Sequence, residues 1–182
     1  MAVVNDPKWR DGWYYGAADG DGPWQGLALA REISQITYRT QKVFDERFGR
    51  EPFNPHKEMT AWGRYQVESY LDHHGQKLVR RFDANSFLVL SKAMDLHDVG
   101  RGRGGIDKVL GSLPMPMLIG SISSDQLYMP YQQRAIHDAI VAGGGESEYH
   151  LIESEQGHDG FLLEAGRLGP LISDFICRAE KR

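Results

Sequence analysis

Met117-Leu118-Ile119-Gly120-Ser121 is a short apolar run, preceded by Pro114 and Pro116 and followed by Ser123-Ser124-Asp125. A run of this length between prolines and a polar turn reads as a buried parallel strand, since such strands are covered on both faces. Tyr131 to Val141 has helical periodicity and stops at Gly143-Gly144-Gly145, where glycine ends a helix without steric cost. Glu148 to Glu153 reads as the next strand, and Gln156-Gly157-His158-Asp159-Gly160 follows it. Strand, helix, strand is the repeating unit of a parallel sheet. Leu162 to Arg178 reads as a closing helix with Leu168, Leu171, Ile172 and Phe175 on its inner face. Pro170 either kinks that helix or marks its start.

Upstream, the texture changes to helices joined by Gly- and Pro-containing loops. The first helix is expected from about Gly26 to Phe44, with Leu29, Ile33, Ile36 and Val43 as its buried stripe. Arg31 and Tyr38 would then share a different face of the same helix, two turns apart. A second helix is expected over Met59 to Leu78, with Trp62, Val67, Tyr70 and Leu71 on its apolar side. A third is expected from Ala84 to His97, before Gly100 to Gly105 breaks the pattern. The expected division is therefore a helical cap over residues 1–98 and an α/β core over 99–182.

The composition places limits on function. Of the 182 residues, 41% are hydrophobic and 25% charged, ordinary globular usage that argues against general disorder. Lys plus Arg number 21 against 25 Asp plus Glu, a net charge of −4 that argues against a nucleic-acid or anionic-membrane binder. The short stretch Arg101 to Gly105 is too isolated to reverse that and reads as a tight loop. The single cysteine, Cys177, cannot form an internal disulfide. Met1 to Arg10 has no apolar run of the signal-peptide kind, and no apolar stretch approaches the ~20 residues that span a bilayer. A cytoplasmic location is expected.

Two chemically capable residues lie just beyond the two strands, where open α/β sheets keep their reactive groups: Asp125 after the first and His158 after the second. In an α/β-hydrolase the order along the chain is serine, then Asp or Glu, then His, so this pair has the order and context of the last two members. His158 would move protons, and Asp125 would fix its tautomer and stabilise its charged form. Plainer readings stand beside these. An aspartate behind a strand is a common turn or cap residue, and a glycine-flanked histidine is commonly a solvated loop residue.

The sequence also resembles the homoserine O-acetyltransferase family. The residues that carry the resemblance are Asp6-Pro7-Lys8-Trp9, Gly26 to Arg31 continuing to Tyr38-Arg39, and Phe44 to Arg50. Arg81 to Ser86, Ala93 to Gly105, Ser124-Asp125-Gln126-Leu127-Tyr128 and Gly157 to Glu164 extend it in collinear order over nearly the whole chain. The resemblance implies a partial α/β-hydrolase fold: a helical lid followed by the last two parallel strands and their helices. It implies ping-pong transfer of acetyl from acetyl-CoA, as co-substrate, to the hydroxyl of L-homoserine in methionine biosynthesis, with no bound cofactor and no metal. Asp125 and His158 would be acid and base of the triad. Arg31 would hold the substrate carboxylate, for which a planar two-pronged donor is well shaped. Tyr38 would be a second substrate contact, and Asp159 would receive the amino group. The lid helices would pair two copies into a homodimer. Without the resemblance, Arg31 reads as a helix arginine pairing with Glu32 or Gln35, Tyr38 as core, and Asp159 as a brace of its turn.

The chain departs from the family in one respect. The Gly-x-Ser-x-Gly elbow that presents the nucleophile occurs nowhere in it, and Ser121, Ser123 and Ser124 lack the elbow's glycines. The nucleophile and oxyanion hole are expected in a segment upstream of Met1, and the chain alone is expected to be inactive and marginally folded. The donor could be succinyl rather than acetyl and the acceptor serine rather than homoserine. Two rivals are a metal site built from His73-His74 and the pairs His97-Asp98, His137-Asp138 and His158-Asp159, and a non-catalytic dimerising fragment anchored by Trp62, Tyr65 and Tyr70.

Overall fold

A computed structural model describes residues 2–18, 20–55 and 60–181. The chain divides into two compact units, one of residues 1–36 and 44–97, the other of 37–43 and 98–182. Residues 37–43, which sequence assigned to the cap, thus pack with the second unit. Among the described residues no helix is long and apolar enough to cross a membrane.

The first unit contains most of α1 (Trp24–Thr37), the greater part of α2 (Gln41–Phe48), α3 (Gln66–Val79) and α4 (Ala84–Leu96). Its core is Val3, Tyr14, Leu27, Leu78 and Ala84, with Trp9, Trp24, Phe82 and Phe87 packed around them. Asp6 accepts a hydrogen bond from Gly26 N–H (2.8 Å) at the start of α1, where a carboxylate also meets the positive end of the helix dipole.

Three expectations for this unit are corrected. The first helix does not continue to Phe44. It stops at Thr37, and α2 starts afresh at Gln41 because the Thr40 hydroxyl accepts from Val43 N–H (3.2 Å), an N-cap. Tyr38 therefore lies beyond α1 and shares no helical face with Arg31. The buried side of α1 is also the other one. Leu29, Ile33 and Ile36 are 48%, 55% and 52% exposed, while Gly26, Leu27, Ala28 and Gln35 are buried. Small residues decide this, because a Cβ on Gly75 of α3 would sit 3.1 Å from Ala28 O and 3.2 Å from its Cβ, so the two helices meet where neither has bulk. Finally, α3 begins at Gln66, with Glu68 accepting from Tyr65 N–H (2.6 Å) as its cap. Met59 lies outside the described residues, and Trp62, expected on the apolar side of a helix, precedes α3 and is 92% exposed.

At the start of α4, Asp83 accepts from Ser86 N–H (2.7 Å) and from the hydroxyl of Tyr14. Partial burial alone would raise its pKa, but these hydrogen bonds to the ionised form outweigh burial and hold the carboxyl below its ordinary value. A depressed folded-state pKa stabilises the fold above the unfolded-state pKa, and that stability disappears as the pH falls through the folded value. Acid unfolding followed by circular dichroism should therefore lose part of its pH dependence below about pH 4 in Asp83→Asn. Asp83→Ala should lose about 1 kcal/mol at neutral pH.

The second unit contains α5 (Ile106–Leu110), β1 (Met117–Ile122), α6 (Pro130–Ala142), β2 (Ser147–Ile152), α7 (Gly160–Leu163) and α8 (Ala165–Ala179). The two strands are parallel, in register from Met117 opposite Ser147 to Ile122 opposite Ile152. Both were expected within a residue of their observed bounds. Helix α6 crosses between them and buries Ile140 completely, while Ile119, Ile122 and Ile152 are buried in the strands. The single closing helix expected over Leu162 to Arg178 is instead two, α7 and α8, which pack against β1. Pro170 lies within the second turn of α8 rather than at its start. The result is helices around a two-stranded parallel sheet, in keeping with a partial α/β-hydrolase fold.

Candidate active site

The parallel register brings the C-terminal ends of β1 and β2 side by side, so the loops that leave them are neighbours. Ser123 N–H still donates to Ile152 O (3.0 Å), one residue past the strand. The Ser123 hydroxyl then accepts from Ser154 N–H (3.1 Å) and donates to Ser154 O (3.2 Å). Ser124 Oγ accepts from Gly157 N–H (3.0 Å). These serines stitch the loop after β1 to the loop after β2, and so hold Asp125 and His158 opposite each other.

Asp125 uses its two oxygens differently. Oδ1 accepts from Leu127 N–H (2.8 Å) and Tyr128 N–H (3.0 Å), a turn that fixes the carboxylate plane. Oδ2 faces His158 Nδ1 at 2.9 Å. Both side chains are largely shielded, 8% and 17% exposed respectively. Asp125 is thus a turn residue, as the plainer reading had it, and a histidine partner as well. A carboxylate is acceptor-only, so Nδ1 carries the proton, and in the neutral ring Nε2 then presents a lone pair. Rings of Tyr38, Tyr128 and Phe161 surround the imidazole with centroids 5.5, 5.2 and 5.5 Å away. The pair lines a pocket with Gly120, Ser121, Tyr128, Gln133 and Phe161. Ser121 Oγ is buried there and makes no hydrogen bond among the described residues.

The other expected site residues are placed as follows. Asp159 follows His158 directly and faces Arg39 Nε, with Oδ2 at 3.0 Å. Tyr38 stacks beside His158, and its carbonyl accepts from Asp159 N–H (3.2 Å). Tyr38, Asp125, His158 and Asp159 therefore come together in the second unit. Arg31 belongs to the first, where it donates to Gln35 Oε1 (2.8 Å), one of the two pairings its plainer reading allowed. Gln35 in turn donates to Tyr70 Oη (2.7 Å), and Tyr70 meets His74 edge-on with ring centroids 4.6 Å apart. Burial first, and then the nearby positive charge of Arg31, depresses the pKa of His74.

Four participants escaped the sequence reading as individuals: Ser124, Arg39, Tyr128 and Phe161. All four stand inside motifs that carry the family resemblance, so motif membership was the available signal. Among the described residues, no group of three His, Cys, Asp or Glu gathers as a metal site, and His137 Nδ1 instead meets Ser147 Oγ at 2.9 Å.

No family model matches the chain. A homoserine O-acetyltransferase of Moorella thermoacetica is 47% identical over 175 residues, 96% of this chain and 46% of that protein. One from Thermobifida fusca is 47% identical over 177 residues, 97% of this chain and 45% of its own length. The chain thus spans about half the length of the curated relatives it matches, in their C-terminal part. Among solved structures, a homoserine O-acetyltransferase from Staphylococcus aureus superposes with a TM-score of 0.63 at 27% identity, over 96% of this chain and 46% of that one. Esterase E22 superposes with a TM-score of 0.80 over 96% of this chain and 47% of its own, at 20% identity, a likeness of fold alone. On this combined sequence and fold similarity, the chain resembles the C-terminal part of homoserine O-acetyltransferases and has part of an α/β-hydrolase fold.

Proposed function

We propose that the chain supplies the acid, the base and the acceptor-binding groups of an acyltransferase that moves acetyl from acetyl-CoA to the hydroxyl of L-homoserine. The observation that carries this reading is the Asp125–His158 contact at 2.9 Å, with Nδ1 directed at the carboxylate. In that arrangement Nε2 takes a proton from an attacking serine hydroxyl as the acyl-enzyme forms and returns it to the departing thiolate of CoA. It then takes the proton of the homoserine hydroxyl as that oxygen attacks the acyl-enzyme, and returns it to the serine oxygen as the acyl–serine bond breaks. Asp125 stabilises the imidazolium at each stage without becoming protonated. Asp159 receives the acceptor's ammonium, and Tyr38 forms a wall beside the imidazole.

The nucleophile is the part this reading assigns elsewhere. Ser123 and Ser124 are engaged as loop braces, and none of the serines beside the pair sits in an elbow. The hydroxyl is therefore assigned to the part of the protein that corresponds to the N-terminal half of the relatives. A hybrid tests this: the portion of the Moorella thermoacetica relative that precedes the matched segment, joined to this chain. O-acetyl-L-homoserine should form from acetyl-CoA and L-homoserine with the hybrid and not with the 182-residue chain alone. His158→Ala should abolish formation. A folded hybrid that transfers nothing, or a lone chain that turns over, would overturn the proposal.

A further inference from the structure

Residues 37–43 strap the loop that carries His158. Tyr38 O accepts from Asp159 N–H (3.2 Å), Thr40 Oγ1 donates to Glu155 O (2.7 Å), and Lys42 pairs with the Glu155 carboxylate. Arg39 makes the central contact, with Nη1 donating to Gln156 Oε1 (3.2 Å) and Nε 3.0 Å from Asp159 Oδ2, an ion pair without the alignment of a hydrogen bond. The Arg39 and Asp159 side chains are 18% and 20% exposed, so this is not one of the freely solvated surface pairs that contribute little. The approach leaves no room for a side chain at Gly157, where a Cβ would lie 2.9 Å from Tyr38 O and 3.0 Å from Arg39 Cα.

We infer that Arg39 is a positioning residue, whose guanidinium fixes the direction of the Asp159 carboxylate. A carboxylate on a loop turns about two side-chain bonds. Held at Oδ2 by a planar cation it keeps one orientation, with Oδ1 as the acceptor for an incoming ammonium. The pair thereby favours an acceptor that is a zwitterionic amino acid over a plain alcohol of the same length. This inference rests on the proposed role of Asp159 as the amino-group contact.

Two measurements test it separately from that proposal. In the purified chain, amide hydrogen exchange at Gly157 and Asp159 should be about tenfold faster in Arg39→Gln than in the natural protein, with β1 amides unchanged. Arg39→Lys, which keeps the charge, should fall between the two. If Arg39→Gln fails to fold, Asp159→Asn removes the ion pair from the other side and should accelerate Gly157 equally. Unchanged exchange at Gly157 and Asp159 overturns the inference in either case. In the transferring hybrid, Arg39→Gln should raise KM for L-homoserine about tenfold, the loss of roughly one charge-assisted contact, while kcat holds. Lysine should restore part of it. A loss in kcat alone, with KM unmoved, also overturns the inference. A natural-sequence hybrid with no transfer counts against the acyltransferase reading, and the exchange result then decides Arg39.

Discussion

Asp125→Asn should lower the rate of acyl transfer by about 10⁴-fold in the transferring hybrid, while the fold survives. Asparagine keeps an oxygen that can accept from Leu127 N–H and Tyr128 N–H, the turn that Oδ1 makes in the natural protein. The atom that then faces His158 Nδ1 is an NH2 group, a donor where an acceptor stood at 2.9 Å. Rotating the amide by half a turn only moves the conflict, because the NH2 then opposes the two backbone donors. The imidazole escapes by shifting its proton to Nε2, and in that tautomer it has no lone pair left for the serine or homoserine hydroxyl. Asp125→Ala is less informative because it also removes the turn. The measurement is kcat for O-acetyl-L-homoserine formation, with thermal unfolding as the control for folding. Activity within about tenfold of the natural protein would mean that the imidazole does not depend on Asp125 for its tautomer.

Gly157→Ala should be damaging on two counts, backbone conformation and close backbone contact. Gly157 has φ +69°, a left-handed conformation that costs a residue with a Cβ roughly 1–2 kcal/mol. The added methyl also meets Tyr38 O at 2.9 Å and Arg39 Cα at 3.0 Å, both parts of backbone that cannot swing aside as a side-chain tip would. Such overpacking costs a further 1–3 kcal/mol, roughly. Relief requires the 37–43 strap and the histidine loop to separate, which breaks the Asp159 N–H bond to Tyr38 O and displaces His158. Stability and activity should therefore fall together. Denaturant unfolding of the chain measures the first and the hybrid's kcat the second. A variant as stable as the natural protein would mean that the loop tolerates that separation at no cost.

The strands were legible because a buried parallel strand is short, apolar and bounded by proline or glycine, and both β1 and β2 have that form. The placement of Asp125 and His158 behind them followed from topology, since parallel strands present their C-terminal loops on one rim. Helix α1 was less legible. Its periodicity correctly marked Leu29, Ile33 and Ile36 as neighbours but could not say which face touches a partner. The choice fell to Gly26, Ala28 and Gly75, whose lack of bulk permits close packing and leaves the larger apolar side exposed. The stop at Thr37 was missed because Tyr38-Arg39-Thr40 contains no glycine or proline. A threonine cap for the next helix, together with hydrogen bonds to a loop more than a hundred residues away, ends α1 there. That break turned Tyr38 from a helical neighbour of Arg31 into a wall beside His158, and it also made Arg39 available to Asp159. Long-range partners of this kind leave no local signal, and only the family motifs marked the segment.

Nitrogen-15 NMR of the His158 ring in the purified chain puts the pairing of the imidazole with Asp125 to the most direct test, since it needs neither substrate nor nucleophile. The ring should show a protonated Nδ1 whose hydrogen is shielded from exchange and resonates far downfield, with Nε2 unprotonated, and this signal should vanish in Asp125→Asn. A ring protonated at Nε2, or an Nδ1 proton in fast exchange with water, would contradict the account.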